Sequence, residues 1–223
     1  VQDNRIVAVG KVGEVSIPDD AQIIDVSGKT LTPGLIDGHA HGSQANEEII
    51  PQQNWKNLSS LAFGVTTIHD PSNDSSEIFA ASEMQRSGQI LGPRIFSTGT
   101  IVYGANSPTA HAKIDSYEDA FFHLQRLKDM GAVSVKSYNQ PRREQRQQVL
   151  KAARDLELMV VPEGGGKLYQ NMSMIADGHT TLEHSLNIAT GYSDLTQFWS
   201  QTEMAYNPTL VVAYGGLEGE KYW

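Results

Sequence analysis

The sequence predicts an α/β protein: a (β/α)8 TIM-type barrel, preceded by a small β-rich segment. From residue 35 onward, short β-branched segments alternate with helix-like segments, which is typical of parallel βαβ units. The first of these strands is not followed by the glycine-rich phosphate fingerprint of a doubly wound dinucleotide-binding fold. A barrel is therefore the expected host for the alternating strands and helices.

The first 34 residues have a different rhythm. Three short apolar runs, over 5–10, 21–28 and 30–34, are separated by glycine and proline. Such punctuation predicts a small antiparallel sheet. We expect it to form a separate subdomain over 1–34, with the barrel over 35–223.

The barrel segments follow in order along the chain. Seven strands are predicted, over 35–41, 65–70, 94–99, 132–138, 158–163, 180–184 and 204–212. Six helices are predicted between them, over 54–63, 76–86, 117–130, 144–156, 168–176 and 193–200. Ser116 with Asp119 resembles a capping box, and Gly64, Gly131 and Gly178 stand where helices end. Since such barrels usually need about 250 residues, the sequence predicts truncation after about seven strands.

Composition limits the classes of partner. The chain has 26 acidic and 17 basic residues, a net charge of −9, which argues against nucleic-acid binding. It contains no run of about 20 apolar residues, so we expect no membrane span. The absence of cysteine excludes disulfides and thiolate ligands but leaves the compartment open. Homo-oligomerisation, and a further domain in a longer parent chain, also stay open.

The strongest chemical feature is the pair His39 and His41 at the end of the first barrel strand. Residues two apart in a strand point to the same face, and barrel active sites lie at the carboxyl ends of the strands. Both imidazoles can therefore reach one metal ion. The alternative is a pair of incidental loop histidines.

The segment Leu31-Thr-Pro-Gly-Leu-Ile-Asp-Gly-His-Ala-His-Gly42 resembles the first-strand motif of the amidohydrolase superfamily, in its imidazolonepropionase/prolidase-like branch. The segments 64–70 and 177–184 resemble that superfamily's second and sixth strands. The resemblance covers nearly the whole chain, and it implies that the N-terminal sheet is the superfamily's β-sandwich subdomain, here incomplete. It also implies a barrel that binds one or two divalent cations, with zinc expected.

The resemblance implies four metal ligands: His39, His41, Lys136 and His184. In many members the lysine at this position is carboxylated by CO₂ and bridges two metals. A carbamate supplies anionic oxygens, whereas an ordinary ammonium has no lone pair. The alternative for Lys136 is an ion pair with an acidic residue.

Two features depart from the superfamily pattern. The fifth strand ends at Glu163, where many members carry a histidine ligand. Glu163 can replace it as a metal ligand or can instead hydrogen-bond substrate. The aspartate that ends the eighth strand and shuttles the proton has no counterpart, since no aspartate follows Asp194. We expect that residue to lie beyond Trp223.

Three further side chains are predicted to contact substrate. His69 ends the second strand on the face of the site, although its neighbour Asp70 could simply hold it. Tyr138 lies two residues after Lys136 and shares its direction on a regular strand, where it could donate to a developing oxyanion. His111 is expected in a long polar loop over 104–115, near the mouth of the barrel.

The expected activity is metal-assisted hydrolysis of a C–N bond in a small-molecule or short-peptide substrate, by a dipeptidase-like enzyme. A metal lowers the pKa of bound water from about 16 toward about 7. A cyclic amidase or deaminase of the same superfamily is one alternative, and a non-catalytic barrel domain of a larger protein is another. Carboxylation of Lys136 would favour the amidase chemistry over the deaminase chemistry.

Overall fold

The computed structural model describes residues 1–2, 5–164, 166–186 and 188–209. The chain divides into two compact units, Val1–Pro33 and Gly34–Trp223. In the described residues, no helix combines the length and the apolar character needed to cross a membrane.

The described residues of the first unit, 1–2 and 5–33, do not form the predicted sheet. Within 1–2 and 5–33 the only β interaction is an isolated antiparallel bridge between Gln2 and Arg5. Its apolar side chains are exposed, for example Ile6 at 70% and Ile23 at 77%. Short strands need a buried apolar face for stability, and these residues bury none. The antiparallel sheet and the β-sandwich interpretation are therefore not confirmed.

The second unit has alternating strands and helices. Its described strands are β1 (Leu35–Asp37), β2 (Val65–Asp70), β3 (Arg94–Ser97), β4 (Ile101–Tyr103), β5 (His111–Lys113), β6 (Ser134–Ser137), β7 (Met159–Pro162), β8 (Thr181–Glu183) and β9 (Ala205–Asn207). Its described helices are α1 (Trp55–Ala62), α2 (Ser75–Arg86), α3 (Tyr117–Asp129), α4 (Arg143–Asp155), α5 (Leu168–Asp177) and α6 (Ser193–Ser200). The last predicted strand is observed over 205–207, and its remainder past 209 lies outside the described residues.

All pairs between the described strands of this unit are parallel. They form three sheets with the orders β1-β2-β3, β5-β4-β6-β7 and β8-β9. The segment 94–103 joins the first two sheets, because β3 pairs with β2 while β4 pairs with β6. Gly99, between β3 and β4, has a φ of +63°, a conformation that favours glycine. The predicted parallel α/β fold is confirmed, whereas barrel closure and truncation stay predictions.

The strand β5 corrects the loop predicted over 104–115. Its residue His111 pairs with Ile101 of β4. Three residues of mixed polarity carry little intrinsic strand signal, so the pairing is decided by the neighbouring strand.

The helices pack as their apolar spacing predicts. On α3, Ala120, Leu124 and Leu127 are fully buried. Ser116 caps this helix, since its Oγ accepts the Asp119 N–H at 3.0 Å. The core between helices and sheet fixes the strand ends, and these ends position the polar side chains described next.

Candidate metal centre

The sequence predicts the first strand over 35–41, but β1 ends at Asp37. His39 and His41 therefore lie after the strand rather than on it, and they face one another. The His39 N–H donates to Asp37 Oδ1 at 3.0 Å, which shapes the turn after the strand. The two Nε2 atoms lie 3.1 Å apart, and the rings meet nearly at right angles, at 83°. Two nitrogens bound to one tetrahedral zinc, each at about 2.0–2.1 Å, would lie about 3.3 Å apart. The pair therefore has the spacing of two ligands to one cation.

Carboxylates hold the other nitrogen of each ring. His39 Nδ1 lies 2.5 Å from Glu183 Oε2, with both side chains buried, and His41 Nδ1 lies 3.2 Å from Asp70 Oδ1. A carboxylate accepts hydrogen bonds, so each Nδ1 carries the proton and each Nε2 presents its lone pair. Two lone pairs at 3.1 Å repel unless a proton or a cation lies between them. Carboxylate–histidine pairs of this kind are the usual outer partners of metal sites.

Glu183 is held ionised by its neighbours. Burial would raise the pKa of the Glu183 carboxyl, but the hydrogen bond from His39, with further help from Thr181, outweighs burial and lowers it. The acceptor that fixes the His39 ring is therefore a carboxylate at neutral pH.

Lys136, Glu163 and His184 form a second group. Lys136 on β6 is completely buried, and its Nζ lies 2.8 Å from Glu163 Oε2. This contact is an ion pair whose angles do not meet hydrogen-bond geometry, so the buried ammonium has no hydrogen-bond partner among the described residues. Glu163 Oε1 lies 3.0 Å from His184 Nε2. The observed Lys136 contact corresponds to the ion-pair alternative raised by the sequence.

The charges of this group act strongly on Glu163. Burial would raise the pKa of its carboxyl, but the hydrogen bond that it accepts from His184 and the positive charge of Lys136 lower that pKa to about 2. Glu163 is therefore an anion at every pH where the protein is expected to work.

His184 directly follows β8 in a left-handed conformation, with a φ of +65°. Such a conformation in a non-glycine residue costs about 1–3 kcal/mol. Its N–H donates to Asn207 O at 2.9 Å, and its Nδ1 lies 2.7 Å from Thr209 Oγ1. These contacts place the ring 5.0 Å from the His39 ring, measured between centroids.

The structure thus brings all five predicted ligands to one place: His39, His41, Lys136, Glu163 and His184. In the described part of the chain, no three His, Asp or Glu side chains form a ready metal-binding group as they stand. Glu163 and His184 are hydrogen-bonded to one another rather than turned toward the Nε2 pair. The residues fit a divalent cation, because the site offers the imidazole lone pairs of His39 and His41 and the nearby carboxylate of Glu163. The Lys136 ammonium has no lone pair and would fit only after carboxylation. The ligand roles themselves stay predictions.

Tyr138 lies just beyond the end of β6. Its ring makes an edge contact with Tyr103 at 5.4 Å, and Tyr103 in turn contacts the ring of His111 at 5.9 Å. Burial and the nearby charge of Glu163 raise the pKa of Tyr138, so its hydroxyl stays protonated and able to donate. The predicted substrate contacts of Tyr138 and His111 remain predictions.

His69 is held by the protein through both ring nitrogens. Nδ1 donates to Gly38 O at 3.2 Å, and Nε2 lies 2.7 Å from Ser134 Oγ. Burial lowers the pKa of His69, which favours the neutral ring that this pairing requires. His69 thus contacts the segment on both sides of His39, through Gly38 O and the Ala40 N–H. Its predicted substrate contact stays untested.

Sequence reasoning missed the roles of Asp70 and Glu183. A signal was present, because each directly precedes or follows a histidine at a strand end: His69-Asp70 and Glu183-His184. Neighbouring residues in a strand face opposite ways, so a local pattern does not show that both members of such a pair serve one site. The histidines that these carboxylates contact follow a different strand, so a local sequence pattern could not identify the pairs.

Comparisons with known proteins found matches in sequence and in fold. No protein-family profile matches the chain. The chain is 54% identical over 41 residues to adenine deaminase 1 of Desulfotalea psychrophila, covering 18% of this chain and 7% of that protein. It is 24% identical over 196 residues to dihydroorotase of Geotalea daltonii, covering 81% of this chain and 42% of that protein.

Two solved structures share the fold. A candidate prolidase from Bifidobacterium longum matches with a TM-score of 0.67 and 21% identity, over 88% of this chain and 51% of that chain. An Xaa-Pro dipeptidase with methionine bound in its active site matches with a TM-score of 0.57 and 18% identity, over 80% and 53%. The chain thus spans about half or less of the length of all four proteins. The resemblance to the amidohydrolase superfamily is confirmed.

Proposed function

We propose that the protein is a metal-dependent hydrolase that cleaves the C–N bond of an amide or peptide-like substrate. The observation that carries the proposal is the pair of Nε2 atoms of His39 and His41, 3.1 Å apart, with each Nδ1 on a carboxylate. A divalent cation there, with zinc expected, would lower the pKa of a water molecule and polarise the scissile carbonyl.

The chain's own residues have distinct parts in this proposal. His39 and His41 present lone pairs, while Glu183 and Asp70 fix the orientation of their rings. Glu163 lies between Lys136 and His184, so it can serve either as a ligand or as the counter-ion of Lys136. Carboxylation of Lys136 would replace the buried ammonium by an anion and would release Glu163 from its ion pair.

Tyr138 would act on the substrate rather than on the metal. Its protonated hydroxyl, near the charge of Glu163, is a donor suited to an oxyanion on the scissile carbonyl. The superfamily's proton-shuttling aspartate has no counterpart among residues 195–223. The chain spans about half or less of the length of the compared proteins, so the tests below use the whole protein.

Two substrate classes are supported by the comparisons. The prolidase-like and dipeptidase-like structural neighbours favour short peptides. Dihydroorotase, which matches over 81% of this chain, favours a cyclic amide as the second candidate. Hydrolysis assays with Xaa-Pro dipeptides and with dihydroorotate would separate the two.

The test is metal analysis together with alanine replacement of His39 and His41. Each variant should lose bound metal and hydrolytic activity, because one Nε2 lone pair is removed. His123→Ala, on helix α3, is a matched histidine control and should keep both. Retained metal with full activity in the His39 and His41 variants would reject the proposal. A wild-type protein that binds no metal would favour the non-catalytic alternative.

A further inference from the structure

Asn73, in the loop between β2 and α2, links two segments beside the candidate metal centre. Its Nδ2 donates to Asp70 Oδ2 at 2.8 Å and to Gly42 O at 3.0 Å. Its Oδ1 accepts the Asp74 N–H at 2.8 Å. The amide can adopt only this orientation, because exchanging its nitrogen and oxygen would place Oδ1 against two other oxygens.

Asn73 and Ser72 together set the plane of the Asp70 carboxylate, which is fully buried. Oδ1 accepts the Ser72 N–H at 3.0 Å and faces His41 Nδ1 at 3.2 Å. Oδ2 is occupied by the Asn73 amide. With both oxygens held, Oδ1 keeps its direction toward the His41 ring.

The ring of His41 depends on this support. Its side chain is 53% exposed, whereas that of His39 is 4% exposed. Packing therefore does little to fix His41, and the contact with Asp70 has to determine where Nε2 points. Asn73 also binds the carbonyl of Gly42, the residue that directly follows His41.

Asn73 is itself anchored through its main chain. Its N–H donates to Gly99 O at 3.2 Å, at the junction between β3 and β4. The Asn73 side chain thus connects Gly42, which follows His41, to Asp70 at the end of β2. Its main chain is held at the same time by Gly99.

We propose that Asn73 is a positioning residue that holds Asp70 and the Gly42 carbonyl, so that His41 Nε2 stays directed at His39 Nε2. The inference rests on the proposed function in that this pair is taken to bind a cation. Asn73 itself touches neither metal nor substrate in this proposal. It acts through Asp70 on the tautomer and orientation of His41.

The test is Asn73→Asp in the full-length protein. This change keeps the size of the side chain but sets oxygen against Asp70 Oδ2 and Gly42 O. Zn²⁺ affinity, measured by competition with a chromophoric chelator, should fall about 10- to 100-fold, as expected for loss of an outer partner. In the metal-free protein, long-range ¹H–¹⁵N NMR should show His41 losing its Nδ1–H tautomer.

The control is Asn46→Asp, the same substitution at an exposed position, which should change neither readout. In an Asp70→Asn background, Asn73→Asp should have a smaller effect on affinity, because residues in one network are not additive. If Asn73→Asp does not fold, Asn73→Ser removes the same two donors and should give the same direction of change in both readouts.

The outcomes separate this inference from the proposed function. Wild-type affinity together with an unchanged His41 tautomer in the Asn73 variant would overturn the role of Asn73. If the wild-type protein binds no Zn²⁺, the proposed function fails. The NMR measurement still decides whether Asn73 fixes His41, because it needs no metal.

Discussion

The ion pair between Glu163 and Lys136 makes a quantitative prediction. Replacing Glu163 with Gln keeps the shape of the side chain and removes its charge, leaving a completely buried ammonium without a counter-ion. The lowering of the Glu163 pKa from 4.5 to about 2 comes from His184 as well as Lys136, and it corresponds to about 3 kcal/mol for the two partners together. Breaking one side of a buried pair costs a similar amount, about 3–5 kcal/mol. We expect the metal-free variant to lose about 3 kcal/mol of unfolding free energy at pH 7.

Urea unfolding of the metal-free protein measures this loss as a change in midpoint at constant slope. Glu203→Gln, at an exposed position, is the matched control and should stay within about 0.5 kcal/mol of wild type. Adding Lys136→Met to the Glu163 variant should recover part of the loss, because the unpaired charge is then removed. A Glu163→Gln variant no less stable than the control would refute the interpretation of this group as a buried ion pair.

The same pair sets a dependence on pH. The folded-state pKa of Glu163, about 2, lies below its ordinary value of 4.5. Its contribution is therefore complete above about pH 4.5 and is lost as the pH falls toward 2. The difference in unfolding free energy between wild type and Glu163→Gln should shrink over that window, measured by urea titrations at each pH. A difference that stays constant down to pH 2 would contradict the lowered pKa.

Two other substitutions test the carboxylate behind His39 and the backbone beside it. Glu183→Gln keeps an acceptor for His39 Nδ1 but removes the negative charge. Zn²⁺ affinity, measured by competition with a chelator, should therefore fall about 10- to 100-fold. Unchanged affinity would show that the charge of Glu183 does not contribute to metal binding. Gly164 and Gly88 both have a positive φ, +83° and +77°. A Cβ added at Gly164 would clash with Glu183 O, whereas a Cβ added at Gly88 would meet no atom within 4 Å. In urea unfolding, Gly88→Ala should therefore lower the unfolding free energy only by the backbone strain, about 1–2 kcal/mol. Gly164→Ala should lower it clearly more, because its Cβ also meets the backbone of Glu183. Equal losses would mean that the segment around Gly164 shifts to make room for the Cβ.

Local patterns in the sequence were sufficient for most of the second unit. The strand segments beginning at 35, 65 and 94 and the buried stripe of α3 follow from β-branched runs and from helical spacing, which depend on near neighbours. His39 and His41 were predicted on one face of a strand over 35–41, but β1 ends at Asp37. Their approach is set by the turn after the strand rather than by strand alternation. The sheet predicted from the N-terminal apolar runs is not confirmed. The composition of these runs suits strands, but their large apolar side chains are exposed.

The candidate centre could be predicted only in outline. Four of its five ligand candidates followed from the resemblance and Glu163 from a departure from it, and the structure places all five together. The partners that give the site its electrostatics were not found, since Glu183 lies 144 residues from His39 in the chain. Whether a strand-end carboxylate faces a histidine depends on the register between strands, and that register is fixed by packing of the whole sheet.

By itself, the sequence determined the alternation of strands and helices, the helix ends, and two histidines close together after the first strand, because periodicity and capping act within a few residues. Only the tertiary structure decided that Glu183 and Asp70 hold those histidines, that Glu163 pairs with Lys136, and that Asn73 supports the loop after His41. These contacts join segments distant in the chain. Their geometry is set by how parallel strands align, which no local pattern encodes.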